Sequence, residues 1–101
     1  GVACRATYVV NSDWGSGFTA TVTVTNTGSR ATNGWTVAWS FGGNQTVTNY
    51  WNTALTQSGA SVTATNLYSN NVIQPGQSTT FGFNGSYSGT NAAPTLSCTA
   101  S

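Results

Sequence analysis

Phe18-Thr-Ala-Thr-Val-Thr-Val-Thr-Asn26 alternates strictly, with Phe18, Ala20, Val22 and Val24 on one side and Thr19, Thr21, Thr23 and Thr25 on the other. Successive side chains on an extended strand point to opposite faces, so this stretch reads as a strand with one face in a core and one in water. Working outward, Trp35-Thr-Val-Ala-Trp-Ser-Phe41 groups Trp35, Val37, Trp39 and Phe41 opposite Thr36, Ala38 and Ser40. Both tryptophans of that run are expected to be buried. Cys4, Ala6, Tyr8 and Val10 alternate with Arg5, Thr7 and Val9, and Phe81 and Phe83 alternate with Thr80, Gly82 and Asn84. Further strands are expected at Gln45 to Trp51, Ser61 to Asn66 and Thr95 to Thr99.

Turn-forming clusters separate these runs: Asn33-Gly34, Gly42-Gly43-Asn44, Ser58-Gly59 and Gln74-Pro75-Gly76-Gln77. Helical periodicity is absent. Many short strands punctuated by turns predict an all-β chain. The expected architecture is an antiparallel two-sheet β-sandwich of jelly-roll or immunoglobulin-like kind, with a closed barrel as the alternative. The 101 residues are the length of one domain, and residues 1–101 show no repeat, linker or internal boundary.

The composition narrows the partners. Only Arg5, Arg30 and Asp13 are charged, and the net charge is +1. No basic stripe exists to neutralise phosphates, so nucleic acid is not an expected partner. No apolar run approaches the ~20 residues that cross a bilayer, and no membrane partner is expected. With 38% hydrophobic and 12% aromatic residues the chain has the material for a core. Its polar surface must then consist of Ser, Thr, Asn, Gln and Gly, which suits an uncharged, hydroxyl-rich partner. Cys4 and Cys98 lie near opposite ends of the chain and read as a disulfide joining the ends, against the alternative of two buried free thiols. A disulfide predicts a secreted, extracellular protein.

Catalysis is not expected. Glycoside hydrolysis ordinarily uses two carboxylates, and Asp13 is the only one. A Ser or Cys nucleophile needs a base, but the chain has no His and no Lys. No zinc or copper site can be assembled from one carboxylate and two paired cysteines, and no phosphate loop is present, so neither metal nor cofactor is expected.

Three aromatics fall outside the core pattern. Trp14 lies in the polar loop Asn11-Ser-Asp-Trp-Gly-Ser-Gly17, and Tyr68 lies in Asn66-Leu-Tyr-Ser-Asn-Asn71. Trp51 ends the run Thr46-Val-Thr-Asn-Tyr-Trp51, where it shares parity with Asn49 but also with the apolar Val47. Each could be a lid over the core. Three such rings on a surface almost without charge point instead to stacking on a ligand. The C–H face of a pyranose is apolar and its rim carries hydroxyls, so flat aromatics could cover the one while Asn, Gln and Thr bond the other.

At these residues the sequence resembles a family 2 carbohydrate-binding module, the cellulose-binding type attached to bacterial cellulases, xylanases and related secreted enzymes. The likeness covers nearly the whole chain. It includes the terminal cysteines, Asp13-Trp-Gly-Ser-Gly-Phe18, Asn33-Gly-Trp-Thr-Val37, Trp51-Asn52, Gln57-Ser-Gly59, Phe81-Gly-Phe-Asn-Gly85 and Gly89-Thr-Asn-Ala-Ala-Pro94. The resemblance implies a non-catalytic sandwich closed by such a disulfide. It also implies three coplanar aromatics, Trp14, Trp51 and Tyr68, with Asn49 and Asn84 as hydrogen-bonding neighbours, while Trp35 and Trp39 match core positions. Departures are Tyr68, where Trp is common, and Ser12, Thr21 and Thr80, where Asn or Gln would be expected. The xylan-binding branch is less similar, because it tends to carry Arg where Gly17 stands.

The function expected from the sequence is therefore a monomeric module that binds crystalline cellulose and targets a covalently attached catalytic domain. Chitin and xylan are the alternative ligands. A rival of another class is an adhesion or structural sandwich using the same rings as a protein interface.

Overall fold

The computed structural model describes residues 1–101. It contains eight strands: β1 (Cys4–Asp13), β2 (Gly17–Asn26), β3 (Trp35–Ser40), β4 (Thr46–Trp51), β5 (Ala54–Ser58), β6 (Ser61–Thr65), β7 (Ser78–Ser86) and β8 (Leu96–Ala100). They form two four-stranded sheets, ordered β1-β2-β7-β4 and β5-β6-β3-β8, with neighbouring strands antiparallel throughout. The chain is thus a two-sheet sandwich and not a closed barrel.

The alternation in β2 operates as the sequence predicts: Phe18, Ala20, Val22 and Val24 are buried beneath the facing sheet. Phe81 and Phe83 of β7 lie beside them in the same sheet, and Trp35, Val37 and Trp39 of β3 stand opposite. Three near-parallel contacts run through this core. Trp35 stacks on Phe81 at 5.7 Å, Trp39 on Phe81 at 6.4 Å and Trp39 on Phe83 at 5.7 Å. Phe41, Phe18 and Tyr8 meet the slab edge-on, the arrangement that the ring quadrupole favours. The slab backs the outer face of the first sheet with packed rings.

Both open sides of the sandwich are stitched. A disulfide between Cys4 and Cys98 ties β1 to β8 across the two sheets. On the other side Gln57 accepts from Val47 N–H at 2.8 Å and donates to the carbonyls of Gln45 and Gly59 at 2.9 and 3.0 Å. Asn52, at φ 65°, forms the corner by which the chain leaves the first sheet after β4 and enters the second at β5.

Three details differ from the sequence expectation. β1 continues to Asp13, so the expected loop at 11–17 shrinks to the turn at 14–16. β5 is absent from the expected strands, because Leu55 is its only buried apolar side chain and leaves too sparse an alternation. β4 contains an irregularity between Val47 and Asn49, and β1 contains another between Val10 and Ser12. A bulge inserts one residue and reverses the parity beyond it. Thr48 is that residue in β4, which lets Val47 face the core while Asn49 and Trp51 face outward.

Candidate functional site

The outer face of the first sheet is read from its register. One row across the sheet is Val9, Thr21, Gly82 and Trp51, and the next is Ser12, Thr19, Asn84 and Asn49. Beyond that lies the pair Gly17 and Ser86, followed by Thr46 on β4. Asn49 and Asn84 are therefore direct cross-strand neighbours on the same face as Trp51.

The two tryptophans are seated on glycines. A Cβ on Gly17 would come within 2.7–2.8 Å of three atoms of the Trp14 indole, and one on Gly82 within 2.5–2.6 Å of the same three atoms of Trp51. Each indole therefore lies over bare backbone. Trp14 stays 59% exposed and Trp51 44% exposed, whereas Trp35 and Trp39 are buried at 2% and 4%. Gly82 pairs with Thr21, four residues along β2 from Gly17 and one strand across. At ~3.3 Å per residue and ~4.8 Å per strand, the seats lie about 14 Å apart on a diagonal. The Thr19–Asn84 pair falls between them.

Local sequence explains how Trp14 reaches this position. Trp14 N–H donates to the Gly17 carbonyl at 3.0 Å across the Gly15-Ser16 turn, and Gly15 takes φ 91°. A glycine in the first turn position suits such a tight hairpin. Asp13 braces the turn: its Oδ1 accepts from Tyr87 hydroxyl at 2.5 Å and Gly15 N–H at 2.9 Å, and its Oδ2 accepts from Asn91 at 3.1 Å. The hydrogen bond from Tyr87, then those from Gly15 and Asn91, hold the Asp13 carboxyl below the usual carboxylate range.

The sole carboxylate is thus committed to supporting a ring, and a pH dependence follows from it. A depressed pKa stabilises the fold above the ordinary carboxylate range and loses that contribution as pH falls through the lowered value. Order in the Trp14 turn is expected to be constant through neutral pH and to decline only in strong acid. The Trp14 indole N–H resonance, followed by NMR against pH, checks this, and Asp13→Asn should remove the acid step.

Polar groups on the face are partly preoriented. Thr19 donates to Asn84 Oδ1 at 2.7 Å, leaving the Asn84 amide nitrogen without an intramolecular partner. Thr21 donates to Asn11 Oδ1 at 2.6 Å, and Thr48 donates to the Asn84 carbonyl at 3.1 Å. Asn49 makes no side-chain hydrogen bond within the chain. Asn11 and Thr19 were not singled out by sequence. Asn11 is the extra residue of the β1 bulge, and the break in alternation at Val9-Val10-Asn11 is the signal that marks it.

Tyr68 is 95% exposed and sits in the connection between β6 and β7. The connection is tied to the corner after Trp51, where Asn70 Nδ2 donates to the Asn52 carbonyl at 2.8 Å. No charged side chain stands in the central rows; Arg5 belongs to the row of Thr25 and Ser78, at the end of the sheet remote from Gly17. The whole is a neutral surface with flat aromatics and unpartnered amides. Such a surface can stack on the C–H faces of sugar rings while bonding their hydroxyls.

Comparison with known proteins agrees with this chemistry. A family model described as "Cellulose binding domain" matches residues 4–100. Endoglucanase A of Thermobispora bispora is 46% identical over 101 residues, covering 100% of this chain and 22% of that protein. Exoglucanase A of Cellulomonas fimi is 46% identical over 92 residues, 91% of this chain and 10% of that protein. The chain therefore spans about a fifth or less of these relatives. Among solved structures, the cellulose-binding family 2 carbohydrate binding domain from ScLPMO10C is 38% identical with a TM-score of 0.76, covering 100% of this chain and 99% of that one. The chitin-binding domain of Chi18aC from Streptomyces coelicolor is 41% identical with a TM-score of 0.74, covering 93% and 90%.

Proposed function

Because the chain belongs to the cellulose-binding-domain family, we propose that Trp14, Trp51 and Tyr68 form its sugar-stacking line, with Asn49 and Asn84 bonding hydroxyls beside it. The ligand is the flat face of crystalline cellulose. The observation that carries this reading is the pair of glycine seats, which lay both indoles over the backbone of one sheet with their outer faces uncovered. The protein is a non-catalytic binding module, and residues 1–101 act as one carbohydrate-binding unit.

In the full-length protein the module holds an attached glycoside-degrading domain near an insoluble substrate and raises its effective concentration there. The glucanases it resembles support that role, and the Cys4–Cys98 disulfide supports secretion to an oxidising compartment. Chitin is the second reading, favoured by the likeness to a chitin-binding domain.

Depletion from solution by microcrystalline cellulose, chitin and soluble xylan tests the ranking. Strongest depletion is expected over cellulose; protein left in the supernatant there, but removed by chitin, would transfer the assignment. Since the central face carries no ionised group, affinity is expected to vary by less than about twofold between ~0.05 and ~1 M NaCl. Adsorption isotherms across that range check it, and a steep salt slope would contradict a neutral interface.

A further inference from the structure

Resting on the stacking reading above, we infer that Asn70 is a positioning residue for sugar binding: it clamps the turn carrying Tyr68 to the corner that follows Trp51. Tyr68 makes no hydrogen bond of its own and is almost wholly in water, so nothing about the ring fixes its place. The turn beneath it does. Asn70 N–H donates to the Leu67 carbonyl at 3.2 Å, closing a four-residue turn with Tyr68 and Ser69 at its crest. Asn70 Oδ1 accepts from Leu67 N–H at 2.7 Å, so both backbone polar groups of Leu67 are held by one residue.

The remaining polar groups of Asn70 point the turn at two fixed bodies. Its carbonyl accepts from the Trp35 indole N–H at 2.9 Å, which anchors the turn to a buried core ring. Its Nδ2 donates to the Asn52 carbonyl at 2.8 Å. Asn52 is itself held, because its Nδ2 donates to the Thr80 carbonyl at 2.5 Å on β7, two residues from Gly82, the seat of Trp51. Tyr68 is thereby referenced to the same sheet as Trp51 through one short chain of hydrogen bonds.

Flanking residues secure the ends of the segment. Asn66 Oδ1 accepts from Trp35 N–H at 2.9 Å, and Asn71 Nδ2 donates to the Asn33 carbonyl at 3.0 Å. An exposed ring on so constrained a base loses little freedom when a rigid surface lands on it, and preorganisation of this kind raises affinity without adding a contact. The role also accounts for the polar sequence Asn66-Leu-Tyr-Ser-Asn-Asn71, in which the asparagines serve the turn and the tyrosine serves the ligand.

The test is a double-mutant cycle on microcrystalline cellulose. Tyr68→Ala is expected to weaken adsorption, and Asn70→Ala to weaken it roughly 3- to 10-fold, toward the lower end of what residues coupled through one hydrogen-bond network show. Adding Asn70→Ala to Tyr68→Ala should then cost nothing further. Equal loss in both backgrounds, or parent-like binding by either single variant, overturns the inference; with Trp14→Ala and Trp51→Ala still impaired, the stacking reading itself would survive. Asn70→Asp, which keeps the acceptor for Leu67 and drops the donor to Asn52, gives a milder variant should the alanine unfold the chain. Independently of any polymer, the Tyr68 and Ser69 amides should show the ¹⁵N relaxation of ordered strands in the parent and lose it in Asn70→Ala. Fast motion of these amides in the parent would also overturn the clamp.

Discussion

Replacing Trp14 and Trp51 together by alanine is expected to weaken adsorption to microcrystalline cellulose by roughly 30-fold to more than 10⁴-fold, if each stacked ring contributes ~1–3 kcal/mol as on nucleobases. The unfolding midpoint should scarcely move. Each indole rests on a glycine at the surface and belongs to no part of the buried cluster, so its removal opens no cavity. Isotherms read the first effect and thermal unfolding the second. A double variant that unfolds, or one that still adsorbs like the parent, would show that the rings had been sorted wrongly between surface and core.

The opposite pattern is expected at Trp39. This ring is 4% exposed and touches Tyr8, Phe41, Phe81 and Phe83 at centroid distances from 5.7 to 6.4 Å. Trp39→Ala should cost about 3–5 kcal/mol, the loss typical of a large aromatic truncated in a packed interior. Against a total stability of about 5–15 kcal/mol for a domain of this size, that loss can unfold much of the population. At ~4–8 °C per kcal/mol the midpoint should fall by roughly 12–40 °C, as calorimetry or circular dichroism would record. Variant molecules that do fold should adsorb normally, since the outer face is untouched. Trp35→Ala should be similarly costly but should also disturb Tyr68, because the Trp35 indole N–H holds the Asn70 carbonyl.

Much of this division is legible in the residues themselves. The strict alternation of β2 and β3 assigns Phe18, Val22, Trp35 and Trp39 to the interior, because period two leaves a half-buried strand only one inward face. Trp14 and Tyr68 are legible for the complementary reason, as large rings among small polar neighbours. Trp51 is not. Its parity with Val47 pairs it with an inward residue, and only the bulge at Thr48 separates the two. Nothing within the run Thr46 to Trp51 marks this bulge, since it depends on how β4 pairs with β7.

The same limit hides Gly82 and Asn70. Gly82 looks like an ordinary outward position of β7 until a ring from β4 lies across it, and Asn70 looks like loop filler until its four polar groups are traced. β5 is not legible in the sequence, because one leucine among Ala54, Thr56, Gln57 and Ser58 makes a poor pattern. Position in the sheet, more than residue type, decides these roles.

An indole lying against peptide backbone has only its outer side to offer. Trp14 and Trp51 therefore cannot sandwich a sugar between two rings or wrap around a polymer end; they can only be set down, like the feet of a stand, on something already flat. Grip of that sort is summed over several footholds of similar strength, and none of them is tied to the identity of a particular sugar along the strand. Such an attachment can shift by whole repeats of a flat surface without ever letting go completely.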